Sequence, residues 1–338
     1  MRTTIKALLC SIAVSACAPI GESRGNDNGP DAGVDGGGAN ATCDQLETKT
    51  MDLTISGTTG FSNLPTTCWK LDGKLTLTGA AVTSLAKLGD LREARDLVVD
   101  DTDLTKIDTK SIIEVTGDLT IRNNDKLTDL TNLAVKTPAN SILVEYNAEL
   151  TNLGGLAKAD VVSGGTTIRN NAKLTTIDLG RATRLEGGLL IQDNAALTKV
   201  DLHSLDSVRD FTVRNNALLT DLSTLGALHY VHGTFTLDNN DSLVNLGSSM
   251  MSGATIVDLN VVISGNAKLT DVGGISHMQY IGGTVSATGN TALPFCEVRE
   301  IDCCVDSGQV LASGNQTTSC GTTGYSWCNQ QLGYCPYM

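Results

Sequence analysis

Leu119-Thr120-Ile121-Arg122-Asn123-Asn124-Asp125-Lys126-Leu127-Thr128-Asp129-Leu130 is the stretch that decides the fold, because the same phrase returns along the chain. It reappears from Thr166 to Ile177, with Ile168, Asn171, Leu174 and Ile177 in register, and again from Phe211, with Val213, Asn216, Leu219 and Leu222. Further copies begin at Ile142, Leu189, Phe235, Val261 and Val285. The aligned asparagines are Asn124, Asn147, Asn171, Asn194, Asn216, Asn240, Asn266 and Asn290, separated by 23, 24, 23, 22, 24, 26 and 24 residues. So regular a period marks a repeat architecture in which each unit is one coil. Two weaker copies, Leu75 to Leu85 and Leu97 to Ile107, lack the asparagine and are expected to be early coils with a different turn.

Within the phrase, apolar, polar, apolar at the start is the period of a strand, with Leu119 and Ile121 inward and Thr120 outward. The next apolar residues, Leu127, Leu130 and Leu133, fall three apart, which suits a turn that points them back inward. One such unit has no second layer to bury its apolar face, so it must stack on its neighbours. About ten coils some 4.8 Å apart give a parallel-stranded stack about 45–50 Å long. Only 4% of residues are aromatic while 41% are hydrophobic, which fits a narrow aliphatic core repeated many times. The repeated asparagine is expected to be mechanical: its amide can bond the backbone of the adjoining coil, and Asn tolerates left-handed turns. Before many strands stands a glycine pair or a glycine, as in Gly117-Asp118, Gly164-Gly165, Gly187-Gly188, Gly233-Thr234 and Gly282-Gly283, where a tight corner is expected.

The pattern G-x-L-x-I-x-x-N-x-x-L-x-x-L-x-x-L resembles the receptor L-domain, the leucine-rich-repeat-like right-handed solenoid of insulin- and EGF-receptor ectodomains. It is also similar to repeats of fungal GPI-anchored cell-wall proteins. The resemblance covers about residues 51 to 295. Leu119 to Asn124 also satisfies the LxLxxN core of leucine-rich repeats, but the next Leu comes three residues after the Asn rather than two, which favours the L-domain variant. The resemblance implies a β-rich solenoid that binds a protein; no ligand-binding residue of those receptors finds a match here.

Both ends differ from the repeat. Arg2 and Lys6, the apolar run Ala7 to Val14 and the small residues before Cys17 read as an export signal over residues 1–16. The run is too short to span a bilayer. Val14-Ser15-Ala16-Cys17 resembles a bacterial lipobox, whose cysteine carries a diacylglycerol, so Cys17 is expected to be the lipidation site; an ordinary signal peptide with an incidental cysteine is the alternative. In that lipoprotein family an Ala after the cysteine, here Ala18, implies the outer membrane. The Gly/Asp/Asn-rich stretch to Thr42 cannot bury enough apolar surface to fold, and residues 17–42 read as lipid anchor and tether. Cys10 leaves with the signal, and eight cysteines remain for disulfides in an exported chain. Cys43 and Cys68, ahead of the regular part, are expected to pair. Cys296, Cys303, Cys304, Cys320, Cys328 and Cys335 belong to a cysteine-rich cap over residues 296–338 that closes the solenoid of residues 43–295. Trp327, Tyr325, Tyr334 and Tyr337 give that segment a second reading, as a partner-presenting module. Zinc competes with disulfides, but the spacing shows no paired CxxC and no adjacent histidine set.

A net charge of -13 argues against nucleic acid and anionic membrane surfaces as partners. The strand-end residues Arg122, Glu145, Arg169, Gln192, Arg214 and Asp238 fall on consecutive coils and form the candidate binding face, or else a charge ladder that fixes register. No catalytic group is assigned, since no nucleophile is grouped with a base. His203, His229, His232 and His277 show no ligand spacing, and Asp100, Asp101 and Asp103 form an acidic run without a sugar platform beside it. That run also lacks the spacing of a calcium loop. Neither metal nor cofactor is expected. The chain therefore reads as a monomeric, outer-membrane lipoprotein presenting a solenoid to a protein or cell-envelope ligand. A structural spacer without a ligand is the alternative, and a carbohydrate-active enzyme a distant third. Metabolic labelling with a palmitate analogue is expected to mark the wild-type chain, and the label should vanish in Cys17→Ala.

Overall fold

Alternating burial along the repeated strands sets the architecture: in Leu119–Arg122 the first and third residues are buried and the second and fourth face outward, and the same pattern holds in Phe211–Arg214 and Phe235–Asp238. The computed structural model describes residues 43–317, apart from 44, 137–138, 223, 247–254, 273–277, 296 and 299–308. The repeats stack as a parallel β-solenoid. Its main sheet has fifteen strands, twelve of them along one path, and each copy of the phrase pairs in register with the next. Leu119 lies beside Ile142, Ile142 beside Thr166, Thr166 beside Leu189, and Leu189 beside Phe211.

Each coil leaves the main sheet at the asparagine and crosses a second edge marked by the ladder of Thr176–Asp178 on Lys199–Asp201. It returns along a six-stranded sheet that includes Arg184–Leu185, Ser207–Val208, Tyr230–Val231, Thr255–Val257 and Met278–Ile281. Leu127, Leu130 and Leu133 are all fully buried, so the three-residue spacing does turn them inward. Only two short 3-10 turns occur among the described residues, at Ala86–Leu88 and Gly154–Lys158. The core is aliphatic except where Phe211 and Phe235 stack on successive coils, ring centroids 4.9 Å apart, and where Trp69 donates its indole N–H to the Leu88 carbonyl.

The asparagines are fully buried and bonded end to end. In Asn147 the backbone N–H and Nδ2 both donate to Oδ1 of Asn171, at 3.2 and 3.1 Å, while Nδ2 also reaches the carbonyls of Ile121 and Glu145. Asn171 repeats this on Asn194, and Asn194 on Asn216. The left-handed turn expected of these asparagines belongs instead to the residue before each: Asn123, Tyr146, Asn170, Asp193, Asn215 and Asn239 have φ near +55°. Two neighbouring positions thus divide the work, one making the turn and the other satisfying the backbone polar groups buried behind it. In the coil that lacks the asparagine, Asp101 makes the turn and Thr102 takes the ladder place, its N–H and Oγ1 both donating to Asn124 Oδ1.

The corner glycines are needed for close approach of backbones. A Cβ on Gly164 would lie 2.5 Å from the Asn140 carbonyl oxygen of the coil below. Cys43 and Cys68 form the expected disulfide. At the other end the stack passes the expected boundary at 295: Val310–Ser313 pairs in parallel with Val285–Thr288, and Asn315 accepts from Asn290 N–H at 3.0 Å. The segment after 295 therefore contributes a further coil. The signal, Cys17, the tether, Cys296, Cys303, Cys304, Cys320, Cys328, Cys335, Trp327 and the three C-terminal tyrosines lie outside the described residues.

Replacing Asn194 by Ala leaves the buried Asn171 N–H without its partner and removes the side-chain bonds to the Ile168 and Gln192 carbonyls, of which Gln192 keeps the Asn170 N–H. At about 1–3 kcal/mol for a buried group left unpaired, a loss of about 2 kcal/mol is expected in equilibrium denaturation.

Candidate functional site

The candidate face is the outer surface of the main sheet, where the fourth residue of every strand stacks on the fourth residue of the next. Register places Asp100, Arg122, Glu145, Arg169, Gln192, Arg214, Asp238 and Ser264 in one column. All six expected residues are thus brought together, and Asp100 and Ser264 extend the row at either end. They bond in separate pairs. Arg122 donates to Asp100 at 2.7 Å, Arg169 Nε to Glu145 at 2.6 Å, Arg214 to Gln192 Oε1 at 2.7 Å, and Ser264 Oγ to Asp238 at 2.6 Å.

Glu145 departs from the expected outward exposure, being only 7% accessible. Its neighbours explain why: the Arg169 guanidinium closes over it and also lies 5.8 Å from the centroid of the Tyr146 ring. A carboxylate so covered has to keep its cation, and the bond to Glu145 in turn is the main cause raising the Arg169 pKa. Tyr146 itself was not singled out from the sequence. It is 47% exposed at φ +55°, in a column whose other left-handed members are Asn, Asp or Gly. A bulky side chain in that conformation is strained by roughly 1–3 kcal/mol.

Other groups considered from the sequence have structural partners. In the acidic run, Asp100 holds Arg122 and Asp103 holds Lys126 at 2.7 Å, so neither carboxylate is unpaired. Asp90, buried beside the Cys43–Cys68 disulfide, accepts from Ser111 and Arg92. Its ligand oxygen and the two cysteine sulfurs lie within 4.8 Å of one another, but the sulfurs are bonded to each other and are not thiolates.

The histidines take separate aspartates: His203 with Asp201 at 2.8 Å and His229 with Asp206 at 2.7 Å. His232 lies between Ser207 Oγ, 3.2 Å from Nε2, and Asp258, 3.4 Å from Nδ1. His277 lies outside the described residues. The row Ser207, His232, Asp258 has the order of a nucleophile, base and orienting acid, which sequence reading missed because its members are about one coil apart. Catalysis would also need donors for a developing oxyanion. The Ser207 and Arg209 amides are already spent on the Thr183 and Leu185 carbonyls, and the His232 and Asp258 side chains are more than half and half exposed. The row therefore has the order of a triad without its dry, donor-lined surroundings.

A β-solenoid bearing a polar sheet face is the class that this geometry defines. No protein-family model matches the chain, and no match is found among characterised proteins.

Two carboxylates link the sheet to pH. Hydrogen bonding from Arg122 is the largest cause holding Asp100 below its ordinary 3.8, joined by Asn123. At Asp90 burial is the largest influence and pushes upward, but the Ser111 and Arg92 hydrogen bonds and the charges of Arg92 and Lys110 together outweigh it, and the value falls below 3.8. A depressed folded value stabilises the fold above the unfolded value and loses that contribution as pH falls through the folded one. The melting temperature is therefore expected to hold from neutrality to about pH 4 and to drop below 3.8, with Arg122→Gln removing part of that acid-side loss.

Proposed function

We propose that the chain is a lipid-anchored bacterial surface protein, akin to the receptor L-domain, that uses the main sheet of its solenoid to bind a protein or cell-envelope ligand and performs no catalysis. In this reading Cys17 carries the lipid, the segment to Thr42 tethers the solenoid to the outer membrane, and the protein acts as a monomer. One observation carries the binding role: a tyrosine sits exposed and strained at the centre of a polar sheet face, where the equivalent turns use Asn, Asp or Gly. The contact of the ring with the Arg169 guanidinium offsets only part of that strain, whereas an exposed aromatic beside arginines is the composition of a contact hot spot. Arg122, Arg169 and Arg214 flank it on the same face, and Thr120, Thr167 and Thr212 give that face short, half-buried outward side chains.

Replacing Tyr146 by Asn should separate stability from binding. The variant is expected to be more stable by about 1 kcal/mol, because Asn tolerates the left-handed turn. In crosslinking on intact cells it should lose a partner that the wild type captures. Arg169→Glu should instead cost about 2 kcal/mol, since it faces Glu145 with a second carboxylate on a partly covered surface. Equal crosslinking by wild type, Tyr146→Asn and the combined Arg122, Arg169 and Arg214 variant would instead favour a surface spacer without a ligand.

A further inference from the structure

A second surface lies on the six-stranded sheet, away from the charge row. Its outward column runs Val161, Arg184, Ser207, Tyr230, Ile256 and Tyr280, one residue per coil. Tyr230 and Tyr280 are 44% and 40% exposed, with Ile256 half-buried between them. They stand two coils apart, about 9.6 Å along the stack.

Three details hold the rings in place. The Tyr230 ring lies within 5° of parallel to the His232 ring, centroids 6.0 Å apart. Tyr280 leans over Gly282, where a Cβ would come 3.2 Å from the ring carbon Cε1, so the absence of a side chain lets the ring lie there. A bulge between Thr255 and Ile256 shifts the register so that Met278 is buried while Tyr280 stays in the Tyr230 column. Bulges re-aim side chains in this way. Without the shift Gln279, not Tyr280, would face Ile256.

We propose that this stripe is a binding site for a neutral, extended β-linked polysaccharide lying along the stacking axis. The face of such a sugar ring presents weakly positive C–H groups, which the negative face of a tyrosine attracts, and alternate sugars present the same face at a spacing close to that of every second coil. Asp206, His229, His232 and Asp258 border the stripe and supply the donors and acceptors that hydroxyl groups need. The net charge of -13 disfavours an anionic glycan. A protein partner or a second copy fits less well. The apolar stripe is one side chain wide and exposes roughly 200–300 Å², against about 800 Å² per partner in a stable interface.

The test is affinity electrophoresis of the chain in native gels containing barley mixed-linkage β-glucan, together with pull-down on insoluble cellulose and chitin. Wild type is expected to be retarded or retained by at least one of these. Tyr230→Ala and Tyr280→Ala should each weaken retention about tenfold, the double variant should abolish it, and Tyr→Phe at either position should keep most of it. The combined Arg122, Arg169 and Arg214 variant should be retained like wild type, which keeps this site separable from the sheet-face reading. Thermal melts of each variant establish that it is folded. The proposal is overturned if wild type is retained by none of the three polymers, if the folded double variant is retained as wild type is, or if these tyrosine changes dissolve a dimer in size-exclusion chromatography without altering retention.

Discussion

Backbone amides buried at a sharp bend must find partners inside the protein, and the asparagine ladder is the answer on which the rest of this structure depends. Each coil leaves the main sheet through a left-handed residue, and the N–H and C=O groups behind that bend are out of reach of water. One asparagine side chain offers two donors and an acceptor with several lone pairs, enough to bind its own coil, the coil before and the coil after. No apolar residue could do this, and a charged one would bring a desolvation cost into the core. The aliphatic interior supplies most of the driving force for stacking, but the ladder fixes where each coil must bend and aligns the strands in register.

That alignment is also what creates surfaces. Strands held in strict parallel register turn one residue per coil into a column, so a property scattered at intervals of two dozen residues becomes contiguous in space. The charge row and the tyrosine stripe both arise in this way, on different faces. Their chemistry differs because their neighbours differ. Glu145 and Arg169 are adjacent in a half-covered row and consume each other, whereas Tyr230 and Tyr280 sit on a face whose polar groups pair around them and leave the rings open to solvent.

Much of this was legible in the amino-acid order, and the exceptions have physical causes. The solenoid, its strands and its inward leucines follow from period and alternation, and Cys43 with Cys68 from their place ahead of the repeat. The division of labour at the bend was hidden because Asn123-Asn124, Asn170-Asn171, Asn215-Asn216 and Asn239-Asn240 place the same residue type in both roles; Tyr146-Asn147 and Asp193-Asn194 reveal the difference. The coil at Val310–Ser313 was obscured by the surrounding cysteines, although Val310, Ala312, Gly314 and Asn315 repeat Val285, Ala287, Gly289 and Asn290 at the same spacing. The burial of Glu145 depends on how the Arg169 side chain folds across it, and no pattern of residue types encodes that. The tyrosine stripe escaped notice because its members lie outside the repeated phrase and because a bulge, invisible in sequence, brings Tyr280 into line.

The ladder has a direction: each asparagine gives its amide hydrogens to the carbonyl oxygen of the next one along the chain, never to the one before. Joints between coils are therefore interchangeable in the manner of identical links. Asn171 and Asn194 are each followed by alanine and then, two places further on, by leucine, so excision of residues 172–194 would rejoin like to like and leave Asn171 facing Asn216. Such a gene can lengthen or shorten its product in whole steps of about 4.8 Å without inventing a new junction, and the length over which a face is repeated becomes something that recombination alone can tune.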